Sequence, residues 1–249
     1  MHFEDHFSRQ AATYAQFRPR YPTELYAFLA NQTIEQSLAW DCATGSGQAA
    51  LGLVEHFEQV IGTDASADQI SHAGPHERIT YRVEPAEKTS LESHSIDLVT
   101  VATAVHWFDL DAFYREVRRV LKPGGIIAVW GYYRPVISPQ IDTQVIRYEM
   151  DILGEYWPER IVLLRNQYRS LPFPFEEIPA PEFAMQAEWD MSQVLGFFNS
   201  WSATTRYREE HGHHPLEKIW ADFTAAWGGE NQKHSVRWPL FVRAGRIGN

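Results

Sequence analysis

Residues 35–131 alternate short, unbroken apolar runs with longer segments of helical periodicity, and few folds accept that order. Strands that alternate with helices of about 10–15 residues predict parallel βαβ units and a doubly wound sheet. Apolar runs of this kind fit strands that are buried on both faces of a mostly parallel sheet. The predicted strands are 38–43, 60–63, 79–83, 96–102 and 126–130.

The clearest predicted helix covers residues 110–121, where apolar side chains recur at helical spacing behind Asp109 and Asp111. Lys122-Pro123-Gly124-Gly125 is expected to end this helix, because proline and glycine destabilise a helix interior.

Residues 132–235 have a different texture, since they are aromatic, interrupted by prolines and mostly helical in pattern. Two strand-like segments, 183–189 and 236–243, are expected to pair as an antiparallel edge of the sheet. The predicted helices are about 139–153, 158–169, 191–209 and 215–227. The predicted domains are N-terminal lid helices in 1–34, a core in 35–135 and part of 180–249, and an inserted aromatic helical cap in about 136–230.

Composition and charge exclude several classes of protein. The 249 residues carry 22 Lys and Arg against 32 Asp and Glu, and the net charge of −10 (22 − 32) disfavours nucleic acid and anionic lipid as partners. No apolar run approaches the roughly 20 residues of a membrane span. The N-terminus lacks the order of a secretory signal, and the single cysteine, Cys42, cannot form an internal disulfide. We therefore expect a cytoplasmic protein, monomeric or homodimeric, with no nucleic-acid or membrane partner.

A glycine turn follows the first predicted strand. Gly45 and Gly47 let a ligand approach the backbone, and a helix N-terminus comes directly after them. Asp64 lies 19 residues after Gly45, at the end of the second strand, where a carboxylate can accept both hydroxyls of a ribose. This placement predicts a nucleoside-containing cofactor. Because residues 45–50 also fit the dinucleotide pattern G-x-G-x-x-A, an NAD-dependent oxidoreductase stays open as an alternative.

Asp41 discriminates between the two kinds of cofactor. It lies four residues before Gly45, at the carboxyl end of the first strand. A fixed negative charge gains nothing beside a pyrophosphate, whereas it favours the ammonium group and sulfonium of an amino-acid-bearing nucleoside. The sequence therefore favours a cationic cofactor over a dinucleotide.

Four motifs taken together resemble the class I S-adenosylmethionine-dependent methyltransferases over about residues 10–131. They are Asp41-x-x-x-Gly45-x-Gly47, Asp64, Glu84-Pro85-Ala86-Glu87 and Leu121-Lys122-Pro123-Gly124-Gly125. Residues 14–22 and 104–109 resemble, more narrowly, the type 11 group related to trans-aconitate methyltransferase. The resemblance implies a Rossmann-like sheet of seven strands with an antiparallel C-terminal strand. It also implies S-adenosylmethionine as cofactor and a small-molecule acceptor, with a carboxylic acid as one class.

The resemblance further implies a role for individual residues. Asp41, Gly45 and Gly47 would hold the methionine portion of the cofactor, and Asp64 would accept the ribose hydroxyls. The other implied cofactor contacts are Ala65, Ala86 and Glu87 at the adenine, Ala102 and Ala104 at the methionine ammonium, and Tyr14 and Arg18 in an N-terminal lid. The implied substrate-pocket residues are His106, Trp107, Arg20, Tyr132, Trp157 and Trp201.

His106 is the candidate catalytic residue, because imidazole titrates near neutral pH. It is either a general base or a hydrogen-bonded histidine that only shapes the pocket. Arg18 and Arg20 either grip a carboxylate of the acceptor or cofactor, or lie in a solvated segment. Residues 211–214 contain three histidines but are predicted to form a solvated turn, so no metal site is expected. A non-catalytic cofactor-binding scaffold, with the aromatic cap as an interface for a protein partner, is the remaining alternative.

Overall fold

The computed structural model describes residues 19–229 and 231–248 of the chain. These residues form two compact units. The sheet unit comprises Tyr21–Tyr132, Leu163–Phe183 and residues 240–248. The aromatic unit comprises Tyr133–Val162 and Ala184–Pro239, together with residues 19 and 20. Residues 163–183 thus group with the sheet, although they lie inside the span 136–230 that was predicted as a cap. Within the described residues, no helix is both long and apolar enough to cross a bilayer.

The strands confirm a doubly wound, mostly parallel sheet. They are β1 Leu38–Cys42, β2 Gln59–Asp64, β3 Ile79–Val83, β4 Ile96–Ala102, β5 Leu121–Tyr132, β6 Glu176–Ile178, β7 Phe183–Trp189 and β8 His234–Arg246. Their order is β3-β2-β1-β4-β5-β8-β6, and β7 pairs with β8. Neighbours among β1 to β5 are parallel, whereas β8 runs antiparallel to β5 and β6. The antiparallel C-terminal strand and the pairing of segments 183–189 and 236–243 are therefore confirmed.

The described residues form eight strands rather than the seven expected. The additional strand is β6, which is three residues long and pairs with the end of β8. Glu176 and Glu177 are exposed, and Ile178 is half-buried. This strand therefore lacks the buried apolar residues, continuous or alternating, by which the other strands were predicted.

The helices are α1 Thr23–Ala30, α2 Gln48–Leu53, α3 Ala67–Ser71, α4 Leu110–Val120, α5 Pro139–Arg147, α6 Ile161–Arg165, α7 Met191–Asn199, α8 Ser202–His211 and α9 Trp220–Trp227. Helix α4 confirms the helix predicted over 110–121. The Asp109 carboxylate accepts a hydrogen bond of 3.1 Å from the Ala112 N–H, which caps the first turn. Phe113, Val117 and Val120 form its buried stripe.

The segment Lys122–Gly125 does more than end a helix, because it forms a bulge inside β5. Ile96 pairs with Leu121 but Leu98 pairs with Ile126, so the extra residues lie opposite Asp97. Asp97 is buried. Its Oδ1 lies 2.7 Å from Lys122 Nζ, and its Oδ2 accepts hydrogen bonds from the N–H groups of residues 37 and 38. Asp97 thus connects the bulge to the start of β1, the strand that leads into the glycine turn.

The predicted helices in the second half of the chain are present, but they are interrupted or shortened. Helix α6 ends at Arg165 because Gln167 and Tyr168 have φ angles of +59° and +58°, which no helix accepts. The predicted helix 191–209 is broken into α7 and α8 around Ser200 and Trp201.

The aromatic unit packs ring against ring. Trp201 stacks on Tyr148 with ring centroids 5.9 Å apart and contacts Trp157 at 5.4 Å. Trp189 and Trp238 meet edge to face at 4.7 Å. Such pairs stabilise a core beyond their buried area. Packing within this unit therefore accounts for much of the high aromatic content.

Candidate functional site

A turn of left-handed backbone connects β1 to α2. Ala43, Gly45 and Gly47 have φ angles of +54°, +56° and +81°, a region that favours glycine. The Gly47 N–H donates to the Thr44 carbonyl at 2.9 Å, and Gly47 is the N-cap residue of α2. The turn therefore presents backbone at the carboxyl end of β1, where doubly wound sheets bind their ligands.

Asp64 holds this turn against the end of β2. Its Oδ2 accepts a hydrogen bond of 2.9 Å from the Gly45 N–H, and its Oδ1 accepts one of 2.9 Å from the Ser66 N–H. The carboxylate is half-buried, and the neighbouring Ala65 is exposed. Two backbone hydrogen bonds thus orient an accessible carboxylate at the sheet edge.

Asp41 is the buried carboxylate of the site, with 1% of its surface exposed. The Thr44 hydroxyl donates to Oδ2 at 2.5 Å and the Thr100 hydroxyl donates to Oδ1 at 2.8 Å. Burial raises the pKa of Asp41 to about 6, against the lowering effect of these hydrogen bonds, and the negative charge of Asp64 adds to the rise. Asp41 therefore ties the glycine turn to β4, a role that its position in the sequence did not indicate.

Tyr81 is a residue of this region that the sequence analysis missed. A Cβ on Gly47 would lie 2.2 Å from Tyr81 Oη, and one on Gly62 would lie 2.8 Å from Tyr81 Cδ1. The hydroxyl donates to the Gly74 carbonyl at 3.0 Å. Two glycines therefore make room for this ring beside the turn. A glycine inside an apolar strand is the signal that points to such a close approach.

The segments after β3 and β4 meet through Glu87. Its Oε1 accepts a hydrogen bond of 3.1 Å from the Asp109 N–H, just before α4. Ala86 is buried, while Ala102 and Ala104 are half-buried on either side of Thr103, whose φ is +57°.

His106 lies in the single helical turn Val105–Trp107 that follows β4. It is 6% exposed, its Nδ1 is 2.7 Å from the Tyr168 hydroxyl, and its ring contacts that of Trp107 at 4.9 Å. Tyr168, another residue that the sequence analysis missed, lies 62 positions further along the chain. No local pattern marks this contact, because it depends on the tertiary fold.

The remaining predicted site residues lie in several parts of the chain. Tyr132, the last residue of β5, is buried and meets Tyr21 at 6.4 Å, whereas Arg20 is exposed. Trp157 and Trp201 lie in the aromatic unit, where they contact each other. Their predicted places in a substrate pocket stay predictions. Tyr14 and Arg18 lie outside the described residues.

Among the residues that the structure describes, no group of three or more His, Cys, Asp and Glu side chains is arranged to hold a metal ion. In the predicted turn 211–214, each histidine side chain has a protein partner. His211 Nε2 lies 2.7 Å from the Tyr156 hydroxyl, and His214 Nε2 lies 2.7 Å from Asn199 Oδ1. His213 Nε2 lies 3.3 Å from the Tyr207 hydroxyl.

The polar groups at the carboxyl edge of the sheet fit a nucleoside with a cationic tail. The half-buried carboxylate of Asp64 can accept hydrogen bonds from hydroxyl groups, and the buried carboxylate of Asp41 favours a nearby positive charge. The glycines with left-handed backbone and the N-terminus of α2 lie at the same edge.

Comparisons with known proteins agree with this site. Residues 40–129 match a family model described as a methyltransferase domain. A Dictyostelium discoideum protein assigned to the methyltransferases is 31% identical over 247 residues, which cover 96% of this chain and 94% of that protein. Saccharomyces cerevisiae CRG1, named as an S-adenosylmethionine-dependent methyltransferase, is 24% identical and covers 83% of each chain.

A solved structure extends the agreement to the fold. An Anaeromyxobacter dehalogenans protein, assigned as a type II methyltransferase, superimposes with a TM-score of 0.88 and 43% identity over 93% of this chain and 99% of its own. The methyltransferase relatives together decide between the sulfonium and nicotinamide cofactors that the glycine turn alone left open. The chain belongs to the class I S-adenosylmethionine-dependent methyltransferases.

Proposed function

We propose that this methyltransferase acts on a small organic acid and methylates a carboxylate oxygen. S-Adenosylmethionine supplies an electrophilic methyl group, which a carboxylate oxygen takes as the sulfur keeps the electron pair, so that a methyl ester and S-adenosylhomocysteine remain. No proton leaves the acceptor in this reaction. The chain's part is then to align the acceptor with the methyl group and to exclude water.

The observation that carries this proposal is the state of the polar groups at the carboxyl edge. The carboxylates of Asp41, Asp64 and Glu87 all accept hydrogen bonds from protein donors. His106 is buried, and its Nδ1 is within hydrogen-bond distance of Tyr168. Side chains that already form hydrogen bonds within the protein are poorly placed to remove a proton from the acceptor. This arrangement therefore suits an acceptor that is already deprotonated. The resemblance to the trans-aconitate methyltransferase group points to the same class.

In the proposed site, Asp64 binds the ribose, Asp41 lies near the methionine ammonium, and Gly45 and Gly47 bring backbone to the methionine portion. Ala65, Ala86 and Glu87 border the adenine, and Ala102 and Ala104 contribute backbone. His106 and Trp107 face the acceptor. The single helical turn after β4 supports this role, since it places both rings directly after a strand end.

A product assay tests the acceptor class. Small di- and tricarboxylic acids, including trans-aconitate, are compared with phenols, amines and thiols, and products are identified by mass. We expect methyl esters, which mild alkali hydrolyses, from at least one acid. Turnover confined to the amines, phenols or thiols contradicts the proposal. Binding of S-adenosylhomocysteine with no turnover on any class instead favours a non-catalytic scaffold.

Asp41 predicts a pH dependence of cofactor binding. Its pKa of about 6, raised from 3.8, means that the protein without ligand holds a proton here below pH 6. This group stabilises the fold fully below pH 3.8, and that contribution is lost as the pH rises through 6. A cation beside the carboxylate favours its charged form, so binding releases the proton. We therefore expect S-adenosylhomocysteine to bind about tenfold more tightly at pH 7 than at pH 5.

Calorimetric titration at pH 5, 6 and 7 measures this effect. Asp41→Asn is the control, because it keeps the size of the side chain and removes the titrating group. The variant should show nearly the same affinity at all three pH values. If the affinity of the natural protein is equally independent of pH, then Asp41 does not interact with the charge of the ligand.

A further inference from the structure

The imidazole of His106 contacts a tyrosine hydroxyl. Its imidazole is buried, with Nδ1 2.7 Å from the Tyr168 hydroxyl and ring centroids 5.8 Å apart. The hydrogen bond at one ring nitrogen sets the protonation and direction of the other. Whatever His106 does at the acceptor through Nε2 therefore depends on Tyr168.

Tyr168 occupies a backbone conformation that its surroundings must impose. Both Gln167 and Tyr168 have φ close to +60°, a region that disfavours residues with a side chain. Tyr168 is fully buried, and its ring packs edge-on against Phe241 of β8 at 5.1 Å. Disfavoured backbone of this kind persists where many contacts determine it, and it clusters at functional sites.

Arg243 of β8 supplies those contacts. Its Nη1 donates to the carbonyls of Tyr168 at 3.0 Å and Leu171 at 2.8 Å. Its guanidinium lies over the Phe173 ring at 4.6 Å and pairs with Glu177. One side chain therefore fixes four places along residues 168–177. Because that segment belongs to the sheet unit, its attachment keeps Tyr168 beside the turn that follows β4.

From this geometry we infer that Tyr168 is a positioning residue, whose hydroxyl donates to His106 Nδ1 and keeps the ring proton on Nε2. The inference rests on the proposed function, in which the acceptor is a carboxylate and His106 faces it. A carboxylate only accepts hydrogen bonds, so Nε2 must carry a proton, and in the neutral imidazole Nδ1 then accepts. Tyr168 is then the donor that selects this tautomer, and His106 orients the acceptor rather than acting as a base.

The same segment offers a matched control. Tyr114 of α4 is also buried, and its hydroxyl donates to the Pro172 carbonyl at 2.7 Å. Tyr114→Phe therefore removes a tyrosine hydrogen bond that anchors the segment but does not involve His106. A purely structural role for Tyr168 predicts that the two Tyr→Phe variants behave alike.

The test combines ring-nitrogen NMR with kinetics. In the natural protein without acceptor, ¹⁵N–¹H spectra should show His106 protonated at Nε2, and the signal is assigned by its loss in His106→Ala. Tyr168→Phe should give a mixture of tautomers and lower kcat roughly tenfold or more, while S-adenosylhomocysteine binds within about twofold of normal. Tyr114→Phe should keep the tautomer and kcat.

Two results overturn the inference. One is a proton on Nδ1 in the natural protein, a measurement that needs no variant to fold. The other is a Tyr168→Phe variant with normal kcat and tautomer. The proposed function fails separately, if turnover is confined to amines, phenols or thiols, whatever the NMR spectra show.

Discussion

Replacement of Asp64 by alanine should weaken the binding of S-adenosylhomocysteine by about 1–3 kcal/mol, roughly 5- to 150-fold. The side chain is expected to bind the ribose, and it also accepts hydrogen bonds from the N–H groups of Gly45 and Ser66. Its loss therefore removes a ligand contact and loosens the glycine turn in the same step. Isothermal titration measures the affinity, and circular dichroism establishes that the variant is folded.

Asp68 provides the control for this experiment. It lies four residues further along, in α3, and its carboxylate is half-exposed beside His72. Asp68→Ala removes the same charge from the same region without touching the turn, so the affinity should stay within about twofold. Normal affinity in Asp64→Ala would remove Asp64 from the cofactor site.

The parts of the fold that the sequence predicted are those in which local pattern and tertiary structure agree. The strands β1, β2, β4 and β5 carry apolar runs because both faces of the parallel sheet are covered there, whereas β3 lies at the edge of the sheet and is partly exposed. The stripe of α4 is buried as its spacing requires. Asp64 could be placed at the ligand edge because it directly ends such a strand.

Other features depend on contacts between distant residues and leave no local pattern. β6 is short and mostly exposed, and it is a strand because it pairs with β8. The contact of Tyr168 with His106 spans 62 positions and depends on Arg243 from the end of the chain. The lysine–proline–glycine motif predicted the end of a helix correctly. The bulge that it forms could not be predicted, because the bulge depends on pairing with β4 and on the contact of Lys122 with Asp97.

Gly47→Ala should destabilise the protein by about 2–5 kcal/mol and abolish measurable cofactor binding at ordinary concentrations. Two costs add here. A side chain at φ +81° costs about 1–2 kcal/mol. The new Cβ would lie 2.2 Å from Tyr81 Oη and 2.9 Å from Cζ, an overlap that costs about 1–3 kcal/mol to relieve. The ring or the turn must move, and the turn carries Gly45 and its hydrogen bond to Asp64.

Two variants separate these costs. Gly212 ends α8 with φ +71°, and a Cβ there would meet nothing within 4 Å, so Gly212→Ala should cost only the backbone part. Tyr81→Phe in the Gly47→Ala background removes the nearest clashing atom and should recover part of the stability. Urea denaturation of the four proteins gives the free energies of unfolding. If Gly47→Ala costs no more than Gly212→Ala, and the second mutation recovers nothing, then Tyr81 does not set the position of the turn.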